Sequence, residues 1–350
     1  MKSFKDMLSK INYYNSRILQ ELSYKTGGGF GKPTGTIVLL TNRCNARCVH
    51  CQSWKLEPVD EVDTDVWLRT FHELRRWLGP IFISITGGET LLKKNSIDIA
   101  GYAAQQGFWV EFLTNGFLMD ENKAEKLVRS GVKRIKISLD GSRPEIHNKV
   151  RGREGFFEKA SWALKTLAEK RDELGLDLQI WGKTSIMSIN VEDLPNIVTL
   201  ASEMKIDGVE FQALEPVYYS EQLGDQDWYK DNPLWINDSD TLSKSIRELK
   251  AMKLAGYPVL NSPENLNLIN NYFEDVEHLS YKIHSHEYKK KKDECRSWVG
   301  GLEIMPDGGM KMCHWMKPFA NIKDGNIHRA YGNRTRCWKN HCPYLRQRED

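Results

Sequence analysis

Apolar positions along the 350-residue chain follow two rhythms. Residues 3 to 23 set Phe4, Met7, Leu8, Ile11, Tyr14, Ile18 and Leu22 on one helical face, which predicts an amphipathic leader helix. "TGGGFGKPTG" follows at 26 to 35. Its glycine spacing, with Pro33 after Lys32, departs from a phosphate loop and reads as a connector. From residue 36, short apolar runs alternate with helical patterns. "TIVLLT", "IFISITGGE", "WVEFLTNG", "RIKISLDG", "LDLQIWGKTSIM" and "GVEFQAL" read as strands. Asp63 is placed to cap a helix running through Leu78, and further helices are expected at 96–106, 121–130, 156–173 and 192–205.

Strands separated by helices of this length imply an α/β fold with a parallel sheet. Six units predict an open, partial (β/α)6 TIM-like barrel over residues 36–238, behind an N-terminal helix and connector at 1–35. In such barrels chemistry sits at the carboxyl ends of the strands. "GGE", "TNG" and "SLDG" all fall there. Beyond residue 214 the pattern loosens. Helices are expected at 239–255 and at 263–276, the second capped by Ser262 and opened by Pro263, in a connecting region spanning 239–294. Residues 295–350 have little helical periodicity and form a small cysteine-rich subdomain, with a hairpin turning at Asp307-Gly308.

Composition narrows the class. Charged residues are 28% and the net charge is +3, which gives no case for nucleic acid or an anionic membrane. The N-terminus lacks the apolar core of a signal peptide, and no apolar run could span a bilayer, so the expected location is the cytoplasm. Disulfides are then not expected, and the seven cysteines need another use. They form two groups: Cys44, Cys48 and Cys51, then Cys295, Cys313, Cys337 and Cys342.

Three thiolates in C-x3-C-x2-C suit an iron–sulfur cluster with one iron lacking a protein ligand. A closed Cys3His zinc site using His50 is the alternative; His50 adjoins Cys51, so binding one ion with both would be strained. C-x3-C-x2-C after the first strand, with "GGE" ending the second, resembles the radical S-adenosylmethionine superfamily. That resemblance implies a [4Fe–4S] cluster on Cys44, Cys48 and Cys51 whose open iron chelates S-adenosylmethionine. Its reductive cleavage gives a 5′-deoxyadenosyl radical that takes a hydrogen atom from the substrate. By the same resemblance His50 packs near the cluster and adenine, and Gly87, Gly88 and Glu89 receive the methionine ammonium. Asn115, Ser138 and Arg151 are implied as further polar contacts to the cofactor, Arg151 suiting a carboxylate. Thr90 stands where the family more often has proline.

Cys295, twelve residues, Gly308, four residues and Cys313 resemble the opening of the SPASM/twitch extension of that superfamily. With Cys337 and Cys342 they could fully ligate one auxiliary [4Fe–4S] cluster; a zinc ribbon is the rival. A redox-active auxiliary cluster suits oxidation or cross-linking of a small-molecule or peptide substrate by an oxidoreductase or maturase, fed by an external one-electron reductant such as flavodoxin or ferredoxin. Redox-neutral epimerisation or rearrangement, nucleic-acid modification and a non-catalytic scaffold are the alternatives. The residues before Leu39 are too few for a leader-peptide-binding domain, so a peptide substrate is expected to be delivered by a separate protein. Strand alternation directs Glu210 and Gln212 the same way, making Glu210 a candidate catalytic base. The aromatic stretch "WYKDNPLWI" could line a cavity or simply pack.

Overall fold

The computed structural model describes residues 4–26, 29–215, 227–274, 297–313 and 316–334. Helix α1 (Phe4–Thr26) leads into β1 (Gly35–Leu39), and strand–helix units follow: α2 (Thr64–Leu78), β2 (Phe82–Thr86), α3 (Ser96–Gln105), β3 (Trp109–Thr114), α4 (Glu121–Val128), β4 (Arg134–Ser138), α5 (Pro144–Arg151), α6 (Phe156–Glu173), β5 (Gln179–Ile186), α7 (Leu194–Glu203) and β6 (Gly208–Ala213). Then come α8 (Ser239–Leu254), α9 (Pro263–Glu274), a short α10 (Ser297–Gly300), β7 (Glu303–Ile304), β8 (Gly309–Lys311), β9 (Ala320–Asn321) and α11 (Ile327–Gly332). The six strands pair in parallel in chain order, so the fold is α/β with a partial barrel.

Strand alternation separates two environments. Ile83, Ile85, Val110, Phe112, Ile135, Ile137, Ile180 and Val209 are fully buried in the core. Register puts Ser84, Glu111, Lys136, Lys183 and Glu210 on the opposite face, which lines the lumen. The β6 edge is closed by Asn261, whose side chain exchanges two hydrogen bonds with the Phe211 backbone as a strand would (2.7 and 2.8 Å). The β1 edge is closed by the C-terminal hairpin: β7 runs parallel to β1, and β8 and β9 continue antiparallel. The hairpin thus extends the barrel sheet. Its turn forms where expected, with Gly308 at φ 90°.

Three expectations change in detail. Asp63 occupies the N-cap of α2 but makes no capping bond there. The described part of the apolar stripe of α1, Tyr14, Ile18 and Leu22, faces outward, with Tyr14 and Ile18 about two-thirds exposed at 64% and 65%. The helix is held by its polar side instead: Gln20 Nε2 donates to Lys32 O (2.6 Å) and Ser23 Oγ accepts from Gly31 N (2.5 Å). Finally, Trp228, Tyr229 and Trp235 pack against one another, and Trp235 packs on Tyr272 and Phe273, so of the two readings of this stretch its aromatic rings follow packing. Among the described residues no helix is long and apolar enough to cross a membrane.

Candidate active site

The cysteine loop leaves the carboxyl end of β1 and is fastened on two sides. On one side Gly88 N donates to Thr41 O and Glu89 N to Arg43 O, both at 2.8 Å. On the other, Arg47 N donates to Arg151 O (2.9 Å) and Val49 N to Val150 O (3.0 Å), tying the loop to the end of α5. The glycines of "GGE" serve this approach. A Cβ on Gly87 would sit 2.5 Å from Thr41 O, and one on Gly88 2.4 Å from Arg43 O. The start of the loop is further pinned by Glu61, which accepts from Thr41 Oγ1, Arg43 Nε (3.2 Å) and Lys93 Nζ (3.2 Å).

Cys44, Cys48 and Cys51 share one packed patch with Ala46, Phe117 and Phe156, the two rings stacked at 4.4 Å. Burial pushes the Cys44 thiol up to about 11 and raises that of Cys48, so holding thiolates here calls for nearby positive charge. Among the described residues no three His, Cys, Asp or Glu side chains converge on a single ion position. A cluster that takes one thiolate per iron would use all three cysteines of this patch. Polar atoms around the loop are also left waiting: Asn45 Nδ2, His50 Nδ1, Trp54 Nε1, His147 Nε2 and Arg151 Nε are buried without a partner. Buried polar atoms are nearly always satisfied in native proteins, so the orphans on the loop itself, Asn45 Nδ2 and His50 Nδ1, and on Arg151 beside it suit a group that binds there.

Glu89 is 1% exposed. Its Oε1 accepts from Leu91 N (2.9 Å) and Thr114 Oγ1 (2.5 Å), and its Oε2 from Asn115 N (2.7 Å). Burial raises its pKa despite these bonds. An incoming ammonium would complete this carboxylate. Asn115 does double duty. Its Oδ1 accepts from Phe117 N (3.0 Å), setting the turn, and its Nδ2 donates to Asn45 Oδ1 (2.7 Å), joining β3 to the cysteine loop. His50 is driven down to about 4 by burial and is neutral at physiological pH. Ser138 ends β4 on the lumen side.

Arg151 and Asp140 are placed more deeply than the sequence suggested. Asp140 is fully buried; its carboxylate pairs with Arg151 Nη2 and accepts from Ser185 N (2.9 Å). Burial works to raise the Asp140 pKa, but Arg151, with His50 and His147, holds it below the usual carboxylate range. Arg151 Nη1 lies 3.4 Å from Cys48 Sγ. Glu210 does enter the lumen, in a charged row the sequence reading did not assemble. Lys136 Nζ bridges Glu111 Oε2 (3.0 Å) and Glu210 Oε2 (2.8 Å), and Arg134 Nη1 pairs with Glu111 Oε2 (3.0 Å). Against the effect of burial, Lys136 holds Glu210 below the usual carboxylate range, leaving it a weaker base than a poised one. The available signal was polar residues at alternate positions of strands covered by helices.

Cys313 follows β8. Since Lys311 pairs with Glu303, and Glu303 with Ile37, the chain there runs back toward the start of β1, away from Cys44. Cys295, Cys337 and Cys342 lie outside the described residues.

The fold and this site are those of a radical SAM domain: residues 38–202 match the Radical SAM superfamily. Among curated relatives, the chain is 33% identical over 189 residues to the Fe-coproporphyrin III synthase of Methanosarcina barkeri, covering 53% of this chain and 45% of that protein. It is 26% identical over 228 residues to the PqqA peptide cyclase of Rhodopseudomonas palustris, covering 65% and 58% respectively. The chain spans about half the length of such relatives. Among solved structures, Streptococcus suis SuiB bound to precursor peptide SuiA superposes with a TM-score of 0.64 at 15% identity, over 93% of this chain and 73% of that one. Native anSMEcpe with bound AdoMet gives 0.61 at 16%, over 85% and 80%. At these identities the likeness establishes the fold, a partial TIM-type barrel.

Proposed function

We propose that the chain is a radical SAM enzyme of the SPASM/twitch type that oxidises or cross-links a peptide or small-molecule substrate. The observation that carries this reading is the Cys44–Cys48–Cys51 loop, clamped between the "GGE" turn and α5 with its thiols in one packed patch. A [4Fe–4S] cluster with one iron open to S-adenosylmethionine supplies one-electron carbon–sulfur cleavage and hydrogen-atom abstraction when bound. Cys44, Cys48 and Cys51 would hold it. The methionine ammonium would be received by the Glu89 carboxylate, approached closely because Gly87 and Gly88 carry no side chains. His50, Asn115 and Ser138 would line the cofactor, and Arg151 would anchor the region electrostatically. Glu210, fixed by Lys136, would present a carboxylate to substrate in the lumen.

In this reading Cys295, Cys313, Cys337 and Cys342 would hold an auxiliary [4Fe–4S] cluster, which would supply an acceptor for the electron lost on oxidation of the substrate radical. The course of β8 supports a position at the far end of the barrel from Cys44. A peptide substrate is favoured by the relatives named for a peptide cyclase and for a precursor-peptide complex. An external ferredoxin or flavodoxin would deliver electrons in the cytoplasm.

Anaerobic reconstitution followed by iron, sulfide and zinc analysis tests the cofactor content. About eight irons are expected, falling to about four when the four C-terminal cysteines become Ala. About four irons plus one zinc, the zinc lost in that variant, would make the tail structural and move redox-neutral radical chemistry to the front.

A further inference from the structure

We propose that Arg151 is a positioning residue that raises the reduction potential of the cluster on Cys44, Cys48 and Cys51, acting through the Cys48 sulfur while Asp140 holds it in place. This rests on the cluster reading above. Resemblance alone would give Arg151 to the cofactor carboxylate. The structure points its guanidinium elsewhere: Nη1 lies 3.4 Å from Cys48 Sγ and Nη2 is paired with Asp140.

The placement leaves little freedom. Arg151 is 7% exposed, and its backbone carbonyl accepts from Arg47 N inside the cysteine loop (2.9 Å). Asp140 is fixed in turn, its Oδ1 accepting from Ser185 N (2.9 Å), its N donating to His147 Nδ1 (3.1 Å) and its O accepting from Asn190 Nδ2 (3.0 Å). Gly152, at φ 67°, completes the fit, since a Cβ there would sit 2.2 Å from Arg47 O. The end of β4, β5 with the turn after it, the cysteine loop and α5 thus hold one cation against one thiol.

The direction of the effect follows from charge. Reduction adds one electron, drawn from an external one-electron donor, and forms or breaks no bond at the protein. The reduced cluster is one unit more negative. A buried cation beside a ligand sulfur favours that form, and an N–H···S hydrogen bond acts the same way. Asp140 opposes Arg151 in part, but the cation is the group that meets the sulfur.

The test is EPR-monitored redox titration of the reconstituted full chain without S-adenosylmethionine, for wild type, Arg151→Lys, Arg151→Met and Asp140→Asn, with S-adenosylmethionine dissociation constants measured in parallel. The midpoint is expected to move negative in Arg151→Met and to be largely retained in Arg151→Lys. It is expected to move positive in Asp140→Asn, where the amide oxygen can keep the bond from Arg151 Nη2 while the amide nitrogen replaces the oxygen that faced Ser185 N. Opposite signs separate electrostatics from mere disruption, and Asp140→Asn decides alone if Arg151→Met takes up no cluster. An unchanged midpoint in Arg151→Met, with cofactor affinity lost, would overturn the proposal and return Arg151 to the carboxylate. A shift of the same sign in both variants would also overturn it. A wild type with no cubane signal would instead refute the functional reading beneath, and this proposal with it.

Discussion

Gly88 shows how narrowly this site is fitted at the scale of one residue. A methyl group there would meet both Arg43 O (2.4 Å) and Asn42 O (2.6 Å), backbone atoms that cannot swing away. Gly88→Ala is expected to displace the cysteine loop and lower iron uptake severalfold; iron analysis against wild type checks this. Glu89→Gln sets an amide NH2 against one of the N–H groups Glu89 now accepts from, at a cost of about 1–3 kcal/mol. A lowered thermal midpoint of the metal-free protein, together with loss of S-adenosylmethionine binding by the reconstituted one, is the expected pair of results. His147 carries a pH dependence. Burial, assisted by Arg151, pushes it down from 6.5 to about 3. Between those values the unfolded chain holds a proton that the folded chain lacks, so stability falls as pH drops through that window. Melting of the metal-free protein should show this slope, and His147→Asn, which keeps an acceptor for Asp140 N, should flatten it.

Elements are where sequence and structure agree most, and where their one clear divergence lies. All six strands and the helices between them except the short α5 were legible, because parallel strands covered by helices leave an apolar period and glycine-marked ends that survive in one sequence. The cysteine loop and "GGE" were legible from spacing. The burial of Arg151 was not, because its fixing partners, Asp140, Cys48 and the loop backbone, are up to 103 residues away and carry no local signal. Nor was the lumen row, which needs the register of four strands. Helix α1 misled for the opposite reason: its period was real, but period does not say which face packs. The interface went to Gln20, Ser23 and the small Gly31, where hydrogen bonds replace apolar contact. Ile18→Ser should therefore change stability by no more than about 0.5 kcal/mol. Gln20→Ala should cost about 0.5–1.5 kcal/mol, through the lost bond to Lys32 O. Chemical denaturation of the two variants compares them directly.

At the scale of the whole molecule, the first cysteine group and Cys313 lie toward opposite ends of one barrel with a polar lumen. The first group follows β1 at its carboxyl end, while β8 carries the chain through Cys313 back toward the start of β1. Charged side chains occupy the lumen wall where a structural barrel would place apolar ones: Glu111 is 4% and Lys136 8% exposed. In the proposed reading this lumen receives the substrate, and the central requirement of that reading is that the cluster held by the first cysteine group cleave S-adenosylmethionine. The most direct measurement is 5′-deoxyadenosine formation by the anaerobically reconstituted chain with reductant and S-adenosylmethionine. Wild type and the variant with Cys295, Cys313, Cys337 and Cys342 replaced by Ala should both form it, and the Cys44/Cys48/Cys51→Ala variant should not. A wild-type protein that carries its cluster, binds S-adenosylmethionine and yields no 5′-deoxyadenosine would contradict the radical enzyme reading.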